Sequence, residues 1–183
     1  MVAGATLTAN AERVRQFINF TVGNEEFGIE LLSVREVIRM REITRVPVAP
    51  PFVKGIINLR GDIIPLVSLR DRFGLPDQAH GETTRVIVVE TKGQLIGLVV
   101  DSASQVVRIS EDQIDPPPPV LGEAARAYIT GVGKLDGRLI VLADIRRFFT
   151  PDEVQRLARA ASKAAPAASG KTPAGRVPAG ATA

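Results

Sequence analysis

The chain has 183 residues, 45% of them hydrophobic, enough for one compact domain or two very small ones. It contains no cysteine, which excludes a disulfide framework, thiolate metal ligands and a cysteine nucleophile. The net charge of +3 belongs to the C-terminal end: from Ser162 onward Lys163, Lys171 and Arg176 meet no acid, so the remainder is formally neutral and offers no basic face for nucleic acid.

The N-terminal stretch MVAGATLTANAERVRQ lacks the apolar core of a signal peptide, and no run approaches the ~18 apolar residues of a membrane span. A soluble, cytoplasmic protein is expected, with residues 1–14 disordered. Strands follow. FINFTV and, later, VIVVE are β-rich runs; Gly23-Asn24 and Lys92-Gly93 are turn signals, after which FGIEL and LIGLVV return as hairpins. VREVIR and QVVRI extend again. A second type of hairpin is expected around Arg60-Gly61 and around Asp136-Gly137, with glycine supplying a positive φ. Pro65, inside IIPLV, cannot donate to a ladder and predicts an edge strand or a bulge. LRDRF and IRRFF read as short helical turns. Thr150-Pro151-Asp152-Glu153 is a capping box with proline at the first helical position, and Val154, Leu157, Ala158 and Ala161 then form a helical stripe over 151–161, expected to cover an open barrel end. The segment 162–183, rich in Ala, Pro and Gly, is expected to be disordered.

The strand-rich body repeats itself. Gly55, Leu59, Gly61, Ile64, Leu66, Arg70 and Phe73 stand over Gly131, Leu135, Gly137, Ile140, Leu142, Arg146 and Phe149 at a constant offset of 76. Upstream, Gly28, Ser33, Val37 and Arg39 stand over Gly97, Ser102, Val106 and Arg108 at an offset of 69. Two matched blocks in the same order imply an internal duplication, with the extra residues in the proline-rich loop Asp115 to Gly122. Four or five short strands per half predict an all-β protein of two small packed barrels, the first over about 15–80 and the second over about 81–150.

No catalytic constellation is visible. The only histidine, His80, lies in the loop QAHGET without an acid partner or a nucleophile elbow. Gly131-Val132-Gly133 sits on a strand rather than at the opening of a helix, and no phosphate loop is present. Asp62, Asp71, Asp101 and Asp144 are scattered without ligand spacing. The expectation is a protein without catalytic residues, metal or cofactor.

The runs Ile43-Thr44-Arg45-Val46-Pro47, Phe52-Val53-Lys54-Gly55-Ile56-Ile57-Asn58-Leu59-Arg60-Gly61 and Ile64-Pro65-Leu66 resemble the signature of the CheW family of chemotaxis coupling proteins. The resemblance continues through Gly97-Leu98-Val99-Val100-Asp101 and Tyr128-Ile129-Thr130-Gly131-Val132-Gly133-Lys134-Leu135, covering about Gln16 to Phe149. It implies two SH3-like five-stranded β-barrels around a shared core. It also implies a non-catalytic adaptor joining the cytoplasmic tips of methyl-accepting chemoreceptors to the SH3-like regulatory domain of the histidine kinase CheA, in membrane-associated arrays. Carried over by motif, the receptor-binding candidates are Val34, Glu36, Gly55, Asn58, Leu59, Arg60 and Gly61; no kinase-binding residues are assigned. Ser68 departs from the aspartate that many relatives place before Leu-Arg, though serine can also cap a helix. From the residues alone, Glu36 and Arg60 could be solvated or paired with each other, Asn58 a turn-former, and Val34 core. The alternative reading is a small-barrel nucleic-acid-binding protein, supported by the basic tail and opposed by a body with one tyrosine, seven phenylalanines and no tryptophan.

Overall fold

The computed structural model describes residues 13–47 and 49–164. In chain order the elements are β1 (Val14–Val22), β2 (Glu25–Glu30), β3 (Val34–Arg39), β4 (Val53–Leu59), β5 (Asp62–Ser68), α1 (Leu69–Arg72), β6 (Arg85–Thr91), β7 (Gln94–Val100), β8 (Ser102–Ser110), β9 (Ile114–Asp115), α2 (Glu123–Arg126), β10 (Ile129–Leu135), β11 (Arg138–Ala143) and α3 (Pro151–Ala164). The strands form two sheets, β8-β1-β2-β11-β10-β9 and β3-β6-β7-β5-β4.

The duplication is visible in the pairing. In one sheet Leu66 of β5 runs parallel beside Gly97 of β7; in the other Leu142 of β11 runs parallel beside Gly28 of β2. The register shift that separates Val53 from Gly55 in β4 recurs between Ile129 and Gly131 in β10. Each repeat offset read from the sequence therefore maps one sheet onto the other. The boundaries do not follow the halves, however. Each sheet takes the first two strands of one half and the remaining strands of the other, three in the five-stranded sheet and four in the six-stranded one, so 15–80 and 81–150 are not separate barrels as expected; they interlock. The physical reason is that β2 and β7 find their parallel neighbours, β11 and β5, across the duplication rather than within their own half.

Interlocking decides where the core sits. Alternation along β6 sends Val86 and Val88 into the interior of the five-stranded barrel with Ile57, Leu59, Ile64 and Leu66, while Ile87 and Val89 point the other way. There they join Phe20, Ile29, Leu98, Val67 and Phe148 in a core shared by both sheets. Phe17, Ile109, Ile140 and Leu142 fill the six-stranded barrel. Helix α3 contributes Val154 and Leu157 to the shared core, so it seals the seam between barrels instead of the expected barrel end. Its cap is as read: Thr150 accepts from the Glu153 N–H at 3.2 Å, and Glu153 accepts from the Thr150 N–H at 2.8 Å. The helix continues past 161 to Ala164, because Ser162-Lys163-Ala164 carries no residue that stops a helix. Of the segments expected to be disordered, 1–14 and 162–183, Val14 opens β1 and 162–164 complete α3, while 1–12 and 165–183 lie outside the described residues.

Pro65 shows how a local rule can hold without its usual meaning. β5 is an inner strand, but its ladder to β7 begins at Leu66, so proline occupies the point where that side is unpaired. Gly97 lets its neighbours in the same sheet close over it. A Cβ there would stand 2.5 Å from Leu66 Cδ2 and 2.8 Å from Val86 Cγ1. Gly97→Ala is expected to lower the unfolding free energy by about 1–3 kcal/mol through overpacking. Urea unfolding against Gly81→Ala, where the added methyl meets nothing within 4 Å, measures it.

Candidate functional site

β3 alternates in exposure, with Val34, Glu36 and Ile38 half-buried and Arg35, Val37 and Arg39 outside. Glu36 thus projects from the inner row of its strand, where an ionised carboxylate needs a partner. That partner comes from the far side of the sheet. β3 and β4 are its two edges, and the β4–β5 hairpin brings Arg60 to Glu36: Nη1 and Nη2 donate to the two carboxylate oxygens at 3.2 and 3.1 Å. The pair bridges the two edges where the sheet curls on itself, and the Thr44–Ile56 backbone bridge adds the segment after β3 to β4.

The hairpin apex is tightly specified. Arg60 and Gly61 both have positive φ, 54° and 98°, the geometry of a two-residue turn matched to strand twist. Asn58 Oδ1 accepts from the Gly61 N–H at 2.9 Å, so Asn58 is a turn-former as well as an exposed side chain. Glycine at 61 satisfies a left-handed position; arginine at 60 does not, and costs roughly 1 kcal/mol there. Asp136 stands at φ 49° in the equivalent turn, a residue that tolerates this region better. The Arg60 side chain is 77% exposed, against 27% for Glu36. An unfavoured residue held by its neighbours at an exposed apex is a presented guanidinium.

Of the remaining candidates, Leu59 and Gly55 are buried and Val34 is half-buried. Leu59 is 4% exposed and packs inside the five-stranded barrel. Gly55 is buried with φ 147°, and a Cβ would strike the Thr44 carbonyl oxygen, so any side chain there pushes the segment after β3 away from β4. Val34 packs partly against the shared core. The structure therefore brings together Glu36, Asn58, Arg60 and Gly61, and assigns Gly55 and Leu59 to the support beneath them. Sequence reasoning did not single out Leu32, which is 98% exposed just before β3, or the exposed Val37 beside Glu36. The period-2 pattern of VREVIR carried the signal for Val37, since it sets Val37 on the face opposite Val34 and Ile38.

The scattered acids are spent in separate places. Asp71 pairs with Lys54 at 2.9 Å, and Asp101 takes Arg70 at 2.5 Å and the Gly23 N–H at 2.7 Å. Arg146 hydrogen-bonds Asp144 and, with its own backbone N–H and Arg147 adding to the effect, holds that carboxyl below the usual range against the pull of burial. Ser68 accepts from the Asp71 N–H at 3.2 Å and caps α1, the role Asp144 plays for the turn after β11. His80 is exposed in its loop. Among the described residues no helix is long and apolar enough to cross a membrane.

Residues 16–153 match the CheW-like domain family. The chain is 38% identical over 140 residues to Chemotaxis protein CheW of Klebsiella aerogenes, covering 76% of this chain and 84% of that one. It is 36% identical to Chemotaxis protein CheW of Helicobacter pylori, covering 77% and 85%, and 31% identical to Protein FrzA of Myxococcus xanthus, covering 75% and 85%. The crystal structure of the scaffolding protein TtCheW from Thermoanaerobacter tengcongensis superposes with a TM-score of 0.69 at 35% identity, over 77% of this chain and 96% of the other. None of these similarities supports the nucleic-acid alternative. The fold, with its two interlocked SH3-like barrels, and the relatives agree: the chain belongs to the CheW family of chemotaxis coupling proteins.

Proposed function

We propose that this CheW-family chain, an adaptor of bacterial chemotaxis, couples methyl-accepting chemoreceptors to the histidine kinase CheA and meets the receptor tip through the β4–β5 hairpin. Arg60 supplies the charged contact, Glu36 aims it, and Asn58 and Gly61 hold the turn. Val34, Gly55 and Leu59 keep the hairpin and β3 in position. The observation that carries this reading is the exposed Arg60–Glu36 bridge at a left-handed apex, whose counterparts in the other half are Asp136 and Gln105. Because the duplicated fold accommodates either sign of charge, arginine at this apex is not a requirement of folding.

The protein acts by holding partners together, without catalysis, metal or cofactor. Its place is the cytoplasm, at receptor arrays in the membrane. A coupling role requires the kinase and the receptor to be bound at once, so the kinase's SH3-like domain uses barrel-end surface away from Arg60. Size-exclusion chromatography of the chain with a receptor cytoplasmic fragment and the kinase's regulatory domain tests this. A three-component peak is expected. Stoichiometric displacement of the kinase domain by the receptor fragment would overturn separate sites, and failure of both to bind would overturn the coupling role.

A further inference from the structure

At the other end of β4 from the Arg60 hairpin lies a second surface. An open groove of about 660 Å³ runs between the segment that leads into β4 and the outer face of α3. Its apolar lining includes Val46, Ala49 and Phe52, and its rim is Arg156, Arg159 and Lys163. These three cations fall at i, i+3 and i+7, one face of the helix over two turns, or about 10 Å. Among the described residues none of them forms an ion pair with a carboxylate. The only glutamate of α3, Glu153, is taken by Arg72.

We infer that this groove docks an acidic, amphipathic helix of a partner protein, at a site separate from the hairpin. Three observations select that occupant. The free charges on the rim are all positive, so the matching segment carries carboxylates. The chain's own residues 165–183, which follow α3 directly, contain Lys171 and Arg176 and no acid, so they repeat the rim's charge rather than complement it. The facing wall includes Pro47, Pro50 and Pro51, which have no amide hydrogen, so it cannot serve as the template for an added strand. What remains is side-chain recognition: apolar residues at helical spacing entering over Val46, Ala49 and Phe52, with glutamates or aspartates alongside Arg156, Arg159 and Lys163. A membrane surface fits less well, because the apolar residues of α3, Val154 and Leu157, are already buried in the protein and the open apolar area is concave. β4 has seven residues, so the groove and the hairpin apex are roughly 20 Å apart and both can be occupied together.

The test uses the full chain and an 18-residue synthetic helix with leucines at i, i+3, i+4 spacing flanked by glutamates, alongside a scrambled peptide of the same composition. Amide shifts on titration are expected at Val46, Ala49, Phe52 and along α3, with little change at Arg60. The patterned peptide is expected to bind about ten-fold or more tightly than the scrambled one, and the Arg156→Glu, Arg159→Glu, Lys163→Glu triple variant to lose about ten-fold. Melting midpoints verify that the triple variant, altered only at exposed positions, is folded. Equal binding of the scrambled peptide, shifts centred on the hairpin, or binding to phosphatidylserine vesicles but not to the patterned peptide would each overturn the inference.

Discussion

Arg60→Ala is expected to weaken binding of a chemoreceptor tip by about 1.5–3 kcal/mol, roughly 10- to 150-fold, the usual worth of a hydrogen bond to a charged group. Unfolding free energy in urea is expected to stay within about 0.5 kcal/mol, since the side chain is exposed and its pairing with Glu36 contributes only ~0–1 kcal/mol. The hairpin backbone is already held by Asn58 and by the positive φ of Gly61, so a guanidinium mounted there loses little freedom on docking. Asp136→Ala, in the equivalent turn of the other half, is the control and is expected to bind normally. The swap Glu36→Arg with Arg60→Glu distinguishes the two roles of the arginine. It restores a bridge between the same two positions but presents a carboxylate to the receptor, so binding is expected to stay lost. Recovery in the swap would mean that only the internal bridge matters, and normal binding of Arg60→Ala would remove the residue from the site.

The largest effect on stability is expected at Arg72. From α1 its Nη1 donates to Glu153 Oε1 at 2.6 Å, and Nη2 donates to Glu153 Oε2 at 3.2 Å and to the Phe148 carbonyl at 2.5 Å. The guanidinium also lies 5.0 Å from the Phe52 ring centroid and 5.4 Å from that of Phe149. One side chain thus ties α1, the turn after β11 and the start of α3 over the shared core. Arg72→Ala leaves Glu153 partly buried without its cation and is expected to cost about 3 kcal/mol, the low end for breaking a buried pair. The double variant with Glu153→Gln is expected to cost less than the sum of the two single variants. A strictly additive pair would mean that the bridge contributes nothing.

The same pair has a pH signature. The hydrogen bond from Arg72, outweighing burial and aided by the Thr150 N–H, holds the Glu153 carboxyl below its ordinary range. A carboxyl depressed in the folded state contributes stability above its unfolded value, near 4.3, and that contribution fades as the pH falls through the folded value. Between about pH 6 and about pH 3 the melting midpoint of the wild-type chain is therefore expected to fall more steeply than that of Glu153→Gln. Asp144, shifted in the same direction by Arg146, is present in both chains and cancels in the comparison.

The sequence by itself determined what depends on neighbours along the chain. Period-2 runs made the strands, Arg60-Gly61, Lys92-Gly93 and Asp136-Gly137 made turns with positive φ, and Thr150 with Glu153 made the cap of α3. The duplication was legible too, because each repeated residue meets the same constraint twice: Gly28 and Gly97 leave room for Leu142 and Leu66, and Gly55 and Gly131 approach the backbone of the segment before them. Only the tertiary structure decided how the halves combine. Strand sequences specify which face is buried, not which parallel neighbour is taken, and β2 and β7 take theirs from the opposite half, which interlocks the barrels and creates the shared core that α3 covers. The site follows the same division. The motif marks Glu36, Asn58, Arg60 and Gly61, but local spacing cannot separate them from Leu59 and Gly55, which point into the protein. Nor can it place Glu36 against Arg60, since the two lie on opposite edges of a sheet and meet only because that sheet curls closed.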